Sequence, residues 1–167
     1  MANYDAAIGF QILGRNWNGG EPNAKLFPKG ALAVYPGDQI ARDNGGDLTR
    51  TITPATTLLS GIVAAYSPTT QLWAMVYTPS DAVFMVQSDA TLAAADMGLN
   101  APGVINSGST TLLQSRDELD GSEIGTENTK DFHVHDKVNF PGNDWGADVK
   151  VIVTFNKHRM ADNTVGI

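Results

Sequence analysis

Residues 149–155 read Val149-Lys150-Val151-Ile152-Val153-Thr154-Phe155, and this stretch decides the fold class. Valine, isoleucine and threonine are stiff at Cβ and pack well on a pleated surface, so the run predicts a β-strand. Outward from it the same signal recurs. Pro141-Gly142-Asn143-Asp144 is a turn, and Phe132 to Val138 is a strand on its far side. Leu58 to Ala65, Leu72 to Thr78 and Val83 to Gln87 are further runs, separated by Ser67-Pro68 and Pro79-Ser80-Asp81. Within 72–78, Trp73, Met75 and Tyr77 fall on one face and Ala74 and Val76 on the other. Both sets are apolar, which predicts a strand covered on both sides with Trp73 in the core.

Nearer the start, Ala31 to Tyr35 predicts a strand that stops at Pro36-Gly37-Asp38, where proline fixes φ and glycine permits a positive one. Asn44-Gly45-Gly46-Asp47 is a hairpin turn, and Leu48 to Ile52 alternates with period two. Asn106 to Ser109 is a turn before a strand over Thr110 to Gln114. One short helix is expected over Thr91 to Met97, capped by Ser88 or Asp89 and closed by Gly98. Many short strands without alternating long helices exclude an α/β fold. The expectation is all-β: a sandwich or barrel, jelly-roll or tulip-like, over residues 31–158. Residues 1–30 are expected as an extended N-terminal arm and 159–167 as a C-terminal tail. The arm is punctuated by Gly and Pro yet carries Phe10, Trp17 and Phe27 among the basic residues Arg15, Lys25 and Lys29. A free tail rarely holds such aromatics, so Phe10, Arg15, Trp17, Lys25 and Phe27 are the candidate contacts with a partner.

At 167 residues the chain is long enough to build a core without metal or disulfide staples. It has no cysteine, which excludes disulfides, thiol nucleophiles and cysteine-held metal centres. The net charge is −7. Nucleic-acid binding rests on Lys and Arg meeting phosphates, and only 11 such residues face 18 acids, so no nucleic-acid partner is expected. Between 117 and 148 stand Asp117, Glu118, Asp120, Glu123, Glu127, Asp131, Asp136, Asp144 and Asp148 against Lys130 and Lys137. Nine acids less two bases account for the whole net charge, and the stretch is expected to face solvent. Thr51 to Ser80 carries no charge at all, but Pro54, Pro68, Gln71 and many hydroxyls break it, so it is not a membrane span. Met1 to Asp5 has no basic leader pattern, and no signal peptide is expected.

Catalytic motifs are missing: there is no Gly-x-Ser-x-Gly elbow, no phosphate-binding Gly-Lys-Ser/Thr and no dinucleotide glycine pattern before a βαβ unit. Asp117-Glu118-x-Asp120 lacks the spacing of a calcium loop. Asp131-Phe132-His133-Val134-His135-Asp136 places a carboxylate and two imidazoles on one strand face, which are three possible metal ligands. The glutamate that a cupin metal site needs is absent after it, so Asp131, His133 and His135 are expected not to form a metal centre. No cofactor and no enzymatic activity are expected. Trp17, Trp73 and Trp145 admit a sugar platform or, equally, anchors at a protein interface.

The order of several segments carries a resemblance. Gly9-Phe10 precedes Trp17-Asn18-Gly19, then Val34-Tyr35-Pro36-Gly37-Asp38 and Gly61-Ile62-Val63. Asp81-Ala82-Val83-Phe84-Met85-Val86-Gln87-Ser88-Asp89 is followed by Asp96-Met97-Gly98-Leu99-Asn100. Gly108-Ser109-Thr110, Ser115, Glu118-Leu119-Asp120 and a closing Lys150 to His158 complete the series. From residue 9 to 158 the chain resembles the small cement or decoration proteins on the heads of tailed bacteriophages. Lys157 stands where that family usually has glutamate, and 124–143 departs from its pattern. The resemblance implies a non-enzymatic virion protein that binds the outside of the capsid and stabilises it. It also implies the major capsid protein as partner and a homo-oligomer, dimer or trimer. The alternative expectation is a phage surface module that adheres to host cells or glycans.

Overall fold

The computed structural model describes residues 3–15, 23–53, 57–78 and 82–158, and the period-two runs become strands of two antiparallel sheets. The strands are β1 (Gln11–Arg15), β2 (Ala24–Pro28), β3 (Gln39–Arg42), β4 (Leu48–Thr49), β5 (Leu59–Val63) and β6 (Trp73–Tyr77). They continue with β7 (Ala82–Gln87), β8 (Asn100–Ala101), β9 (Gly103–Val104), β10 (Glu118–Leu119), β11 (Phe132–Lys137) and β12 (Lys150–Phe155). The first sheet has the order β1-β7-β12-β11-β8, the second β2-β6-β5-β3-β4, and β10-β9 form a small ribbon. The stretch that opened the sequence reading is β12, the centre of the first sheet, which takes β7 and β11 as its antiparallel neighbours.

The two sheets share one core. Phe84, Val86, Phe132, Val134, Val151 and Val153 of the first sheet pack with Leu59 and Ile62 of the second, and with Phe10, Leu92 and Leu119. A second cluster lies on the other face of the second sheet, with Val34, Ile40, Leu48, Val63, Ala74 and Val76 packed by Phe27 and Leu32. Strand β5 therefore contributes to both clusters, and all five of its residues are buried. Gly61 makes this possible. Its φ is +154°, and a Cβ there would collide with the Tyr77 carbonyl oxygen. The second sheet also curls. An isolated bridge joins Lys29, just past β2, to Leu48 of β4, and the Arg42 guanidinium of β3 lies 5.3 Å from the Phe27 ring of β2. The sheet's two edges thus approach each other around the second cluster.

The turns are those expected. Gly37 (φ +90°), Gly46 (φ +91°) and Gly142 (φ +86°) supply the positive φ that Pro36-Gly37-Asp38, the β3–β4 hairpin and the β11–β12 hairpin need. Four expectations are corrected. The first concerns the arm: β1 pairs with β7 and β2 with β6, so Gln11–Arg15 and Ala24–Pro28 belong to the sheets. Ala31 to Tyr35 is a loop with one bridge, Val34 to Ser67, because it plugs the curl of the second sheet. Thr110 to Gln114 is a turn closed by Ser109 and Gln114 rather than a strand. The helix shrinks to a single 3₁₀ turn, Ala94–Asp96, because Leu92 is held in the core and bridged to Gly146. The tail 159–167 lies outside the described residues.

Candidate interaction surface

Strand β6 places its alternating side chains as period two demands, but the two faces meet different fates. Ala74 and Val76 are buried in the second cluster. On the opposite face Tyr77 packs against the shared core, 6.5 Å from the Phe84 ring. Further along that same face the covering sheet has ended. Met75 is 43% exposed and Trp73 55%, which corrects the expectation of Trp73 in the core. Leu26 of β2 sits opposite Met75 in the antiparallel register and is 65% exposed; Leu72 is 67% exposed. These side chains, with Ala65, Tyr66, Ser67 and Gln71, line a groove of about 400 Å³. The second sheet overhangs the first, and the groove is the uncovered continuation of the intersheet core.

The wall of the groove is held in place by polar contacts. Lys29 is buried, and its Nζ donates to the carbonyls of Leu32, Pro68 and Gln71, each at 2.7 Å. Burial lowers its pKa. Ser67 Oγ donates to the Trp73 carbonyl at 2.8 Å and lies 3.1 Å from Gln71 Oε1. Tyr66 stacks on Tyr35 with centroids 5.4 Å apart. Four exposed apolar side chains are thus presented on a fixed backbone. An apolar patch of this kind usually marks a binding surface.

The anchors expected from the sequence divide differently. Phe10 is a core residue, stacked on Phe132 at 4.4 Å. Phe27 packs in the second cluster beneath Arg42. Lys25 is exposed on the edge strand β2, the place where a lysine discourages stray strand pairing. Lys29 is spent on carbonyls inside the protein. Trp17 and the Arg15 side chain lie outside the described residues. Trp145 packs partly buried against the shared core. Sequence reasoning missed Leu26, Leu72 and Met75. The exposed face of β6 carries the same apolar alternation as its buried stretch, so only the end of the covering sheet distinguishes them.

Polar groups elsewhere are engaged internally. Asp38 and Asp117 are both buried and share the Arg50 guanidinium, with Asp38 Oδ1 at 3.3 Å from Nη2 and Asp117 Oδ1 hydrogen-bonded to it. Asp117 also accepts from the Gln39 and Asn106 backbone N–H groups. Desolvation pushes Asp117 up to about 6 despite Arg50, and it raises Asp38 as well. Asp131 is fully buried, and among the described residues its carboxylate makes no well-formed hydrogen bond, although the Gly103 backbone N–H eases its burial. Burial pushes it up to about 6, with Lys157 offsetting part of that cost. Two of the nine acids in 117–148 are therefore inside the protein, which corrects the expectation of a wholly solvent-facing stretch. His133 and His135 meet edge to face with centroids 4.8 Å apart. His133 Nδ1 lies 2.8 Å from Asn100 Oδ1, and His135 Nε2 lies 2.8 Å from Thr154 Oγ1. His135 is the bulge residue of β11, since the register with β12 shifts between Val134 and Asp136. Asp131, His133 and His135 are not brought together as a three-donor group among the described residues.

Among the described residues no helix is long and apolar enough to cross a membrane. Comparison with models of protein families, with curated proteins and with solved structures finds no match to this chain.

Proposed function

We propose that this chain is a non-enzymatic virion protein of a tailed phage, a cement or decoration protein that binds the outside of the head and stabilises the shell. The observation that carries the reading is the groove: Leu26, Leu72, Trp73 and Met75 are held out to solvent on a rigid sheet. A protein that acts by non-covalent assembly must keep some apolar area uncovered until it meets its partner. The resemblance over residues 9–158 supplies the kind of partner, a major capsid protein, and many copies on one shell give avidity to modest individual contacts. Adhesion to glycans has Trp73 in its favour. Sugar hydroxyls also need free polar groups beside the ring, and the Ser67 hydroxyl already donates to the Trp73 carbonyl of the β6 backbone. Co-sedimentation with heads that lack the protein tests the reading. The parent chain is expected to pellet with heads, and the double variant Trp73→Asp, Met75→Asp to stay in the supernatant while keeping its circular dichroism. Absence from purified virions, or undiminished head binding by the variant, overturns it.

A further inference from the structure

We propose that Asn44 is a site of spontaneous covalent modification: in the folded protein its side chain condenses with the Gly45 backbone nitrogen, loses ammonia and is hydrolysed to aspartate and isoaspartate, which loosens the β3–β4 hairpin. The inference does not depend on what the protein binds. Asn44 and Gly45 stand at the tip of that hairpin, and both are exposed. Gly46 N–H donates to the Asp43 carbonyl at 3.2 Å, Asp43 N–H to the Asp47 carbonyl at 2.9 Å, and Asp47 N–H to Asp43 Oδ1 at 3.0 Å. Among the described residues these bonds leave the Asn44 side-chain amide and the Gly45 N–H, the two groups that must react, without a partner. Glycine has no Cβ to shield its nitrogen from Asn44 Cγ. The step balances with water and hydroxide alone. Hydroxide takes the Gly45 amide proton, and the nitrogen attacks Asn44 Cγ. A C–N bond forms and the Cγ–Nδ2 bond breaks, with ammonia leaving after taking a proton from water. Water then opens the cyclic imide at either carbonyl. One opening gives aspartate; the other gives isoaspartate, in which the main chain runs through the side-chain CH₂.

The fold selects this asparagine among the described residues. The side-chain amides of Asn3, Asn100, Asn106, Asn143 and Asn156 donate to backbone carbonyls. Asn23, Asn128 and Asn139 precede Ala24, Thr129 and Phe140, whose Cβ atoms crowd the attacking nitrogen. Asp120-Gly121 is the aspartyl counterpart, and the fold closes it: Gly121 N–H donates to Asp89 Oδ1 at 3.0 Å, while Asp120 Oδ1 accepts from the Ser122 and Glu123 N–H groups. Asn18-Gly19 lies outside the described residues. The product then fits the turn badly. Isoaspartate lengthens the main chain inside the loop that the Asp43–Asp47 and Asp43–Gly46 backbone bonds close. Either product adds a carboxylate beside those of Asp43 and Asp47. Strand β4 has only two residues, paired with Ala41 and Arg42, and one of them is Leu48 of the second cluster. So short a strand has few bonds with which to resist local opening.

Trypsin cuts after Arg42 and Arg50, so the peptide Asp43–Arg50 reports on Asn44 alone. The full chain, kept folded at mildly alkaline pH, is digested at intervals and read by mass spectrometry. Asp43–Arg50 is expected to gain the mass difference between NH₂ and OH, divided between aspartate and isoaspartate. The peptide Asp117–Lys130, which carries Asp120-Gly121, is expected to form isoaspartate only when the chain is aged in urea. In Gly45→Ala the new Cβ meets only the Asp43 carboxylate, 3.3 Å away at its nearest, so the variant should fold and convert several-fold more slowly. Aged protein, separated from the parent by its extra negative charge, should exchange the Leu48 and Thr49 amides faster while β12 stays protected. Conversion of Asp43–Arg50 in urea but not in the folded chain would mean that the turn protects Asn44, and it overturns the proposal. An undiminished rate in Gly45→Ala overturns attack by that nitrogen, and unchanged exchange at Leu48 and Thr49 overturns the loosening of the hairpin.

Discussion

Asp131 is a carboxylate the fold would hold more easily in its neutral form. Both its oxygens are buried with no well-formed hydrogen bond among the described residues, and desolvation pushes its pKa up to about 6 despite Lys157 and the Gly103 N–H. A carboxyl whose folded pKa lies above its unfolded value binds a proton more tightly in the folded state. Its stabilising contribution is full below pH 4 and is lost as pH rises through about 6. Asp131→Asn removes that loss. At pH 7.5 the variant is expected to be more stable than the parent by about 2 kcal/mol, and the gap should close as pH falls toward 4. Thermal melts of both proteins across that range check this. His135 and His158 have pKa values lowered by burial and act in the opposite sense, losing stability below pH 6.5. Taking the difference between variant and parent cancels them. Arg50 is the converse case. It is the single guanidinium between Asp38 and Asp117, and Arg50→Ala leaves two buried carboxylates facing each other. A loss of about 3–5 kcal/mol is expected at pH 7.5, shrinking by pH 5 as Asp117 takes up a proton. Denaturant titration at the two pH values measures it, and an equal loss at both would show that the charges are not the cause.

At the scale of elements, β5 and β6 meet at a point that tolerates no side chain. A Cβ on Gly61 would enter the space of the Tyr77 carbonyl, in a backbone conformation that already disfavours L residues. Gly61→Ala is expected to cost more than about 3 kcal/mol, by separating the two strands that carry both clusters. A melting temperature within a few degrees of the parent would mean that β5 shifts to accommodate it. Lys29 controls a different element. Two of its three carbonyl acceptors, Pro68 and Gln71, fix residues 66–72 beside the groove, and the third, Leu32, ties them to the plug of the second cluster. Lys29→Met fills similar volume but leaves those carbonyls without their donor. Amide exchange in 67–72 is expected to accelerate while β7 and β12 remain protected, since local opening is set by the contacts that hold a segment.

For the whole molecule, the first residues are part of the fold rather than an appendage. Phe10 stacks in the shared core, β1 is the edge strand of the first sheet and pairs with β7, and Asn3 Nδ2 donates to the carbonyls of Asp144 and Ala147 at 2.7 Å each. Burial of a phenylalanine alone contributes about 1.5–3 kcal/mol, and the strand's hydrogen bonds add to it. Removal of residues 1–15 is therefore expected to abolish cooperative unfolding, read as loss of a sharp thermal transition by circular dichroism. A truncated chain that melts like the parent would mean that residues 3–15 contribute little to the core.

The local decisions were legible in the residues themselves. The runs Val149 to Phe155, Val83 to Gln87 and Leu58 to Ala65 contain the strands Lys150–Phe155, Ala82–Gln87 and Leu59–Val63 because their β-branched and aromatic side chains suit the pleat. Gly37, Gly46 and Gly142 turn the chain because only glycine takes those φ values without cost. The all-β class and the internal charge balance followed from the same short-range physics. What lay beyond it was coverage. Trp73 and Tyr77 share one face of one strand, yet one is open to solvent and the other lies against the core, because the first sheet ends between them. Phe10 and Phe27 looked like anchors on an arm because nothing local tells a residue which distant strand will pair with its own. Asp117 and Asp131 looked solvated among seven other acids, and only the packing of distant segments buried them. Propensity and turn geometry are properties of a few consecutive residues; which face is covered, and by what, is settled by pairings between strands far apart in the chain.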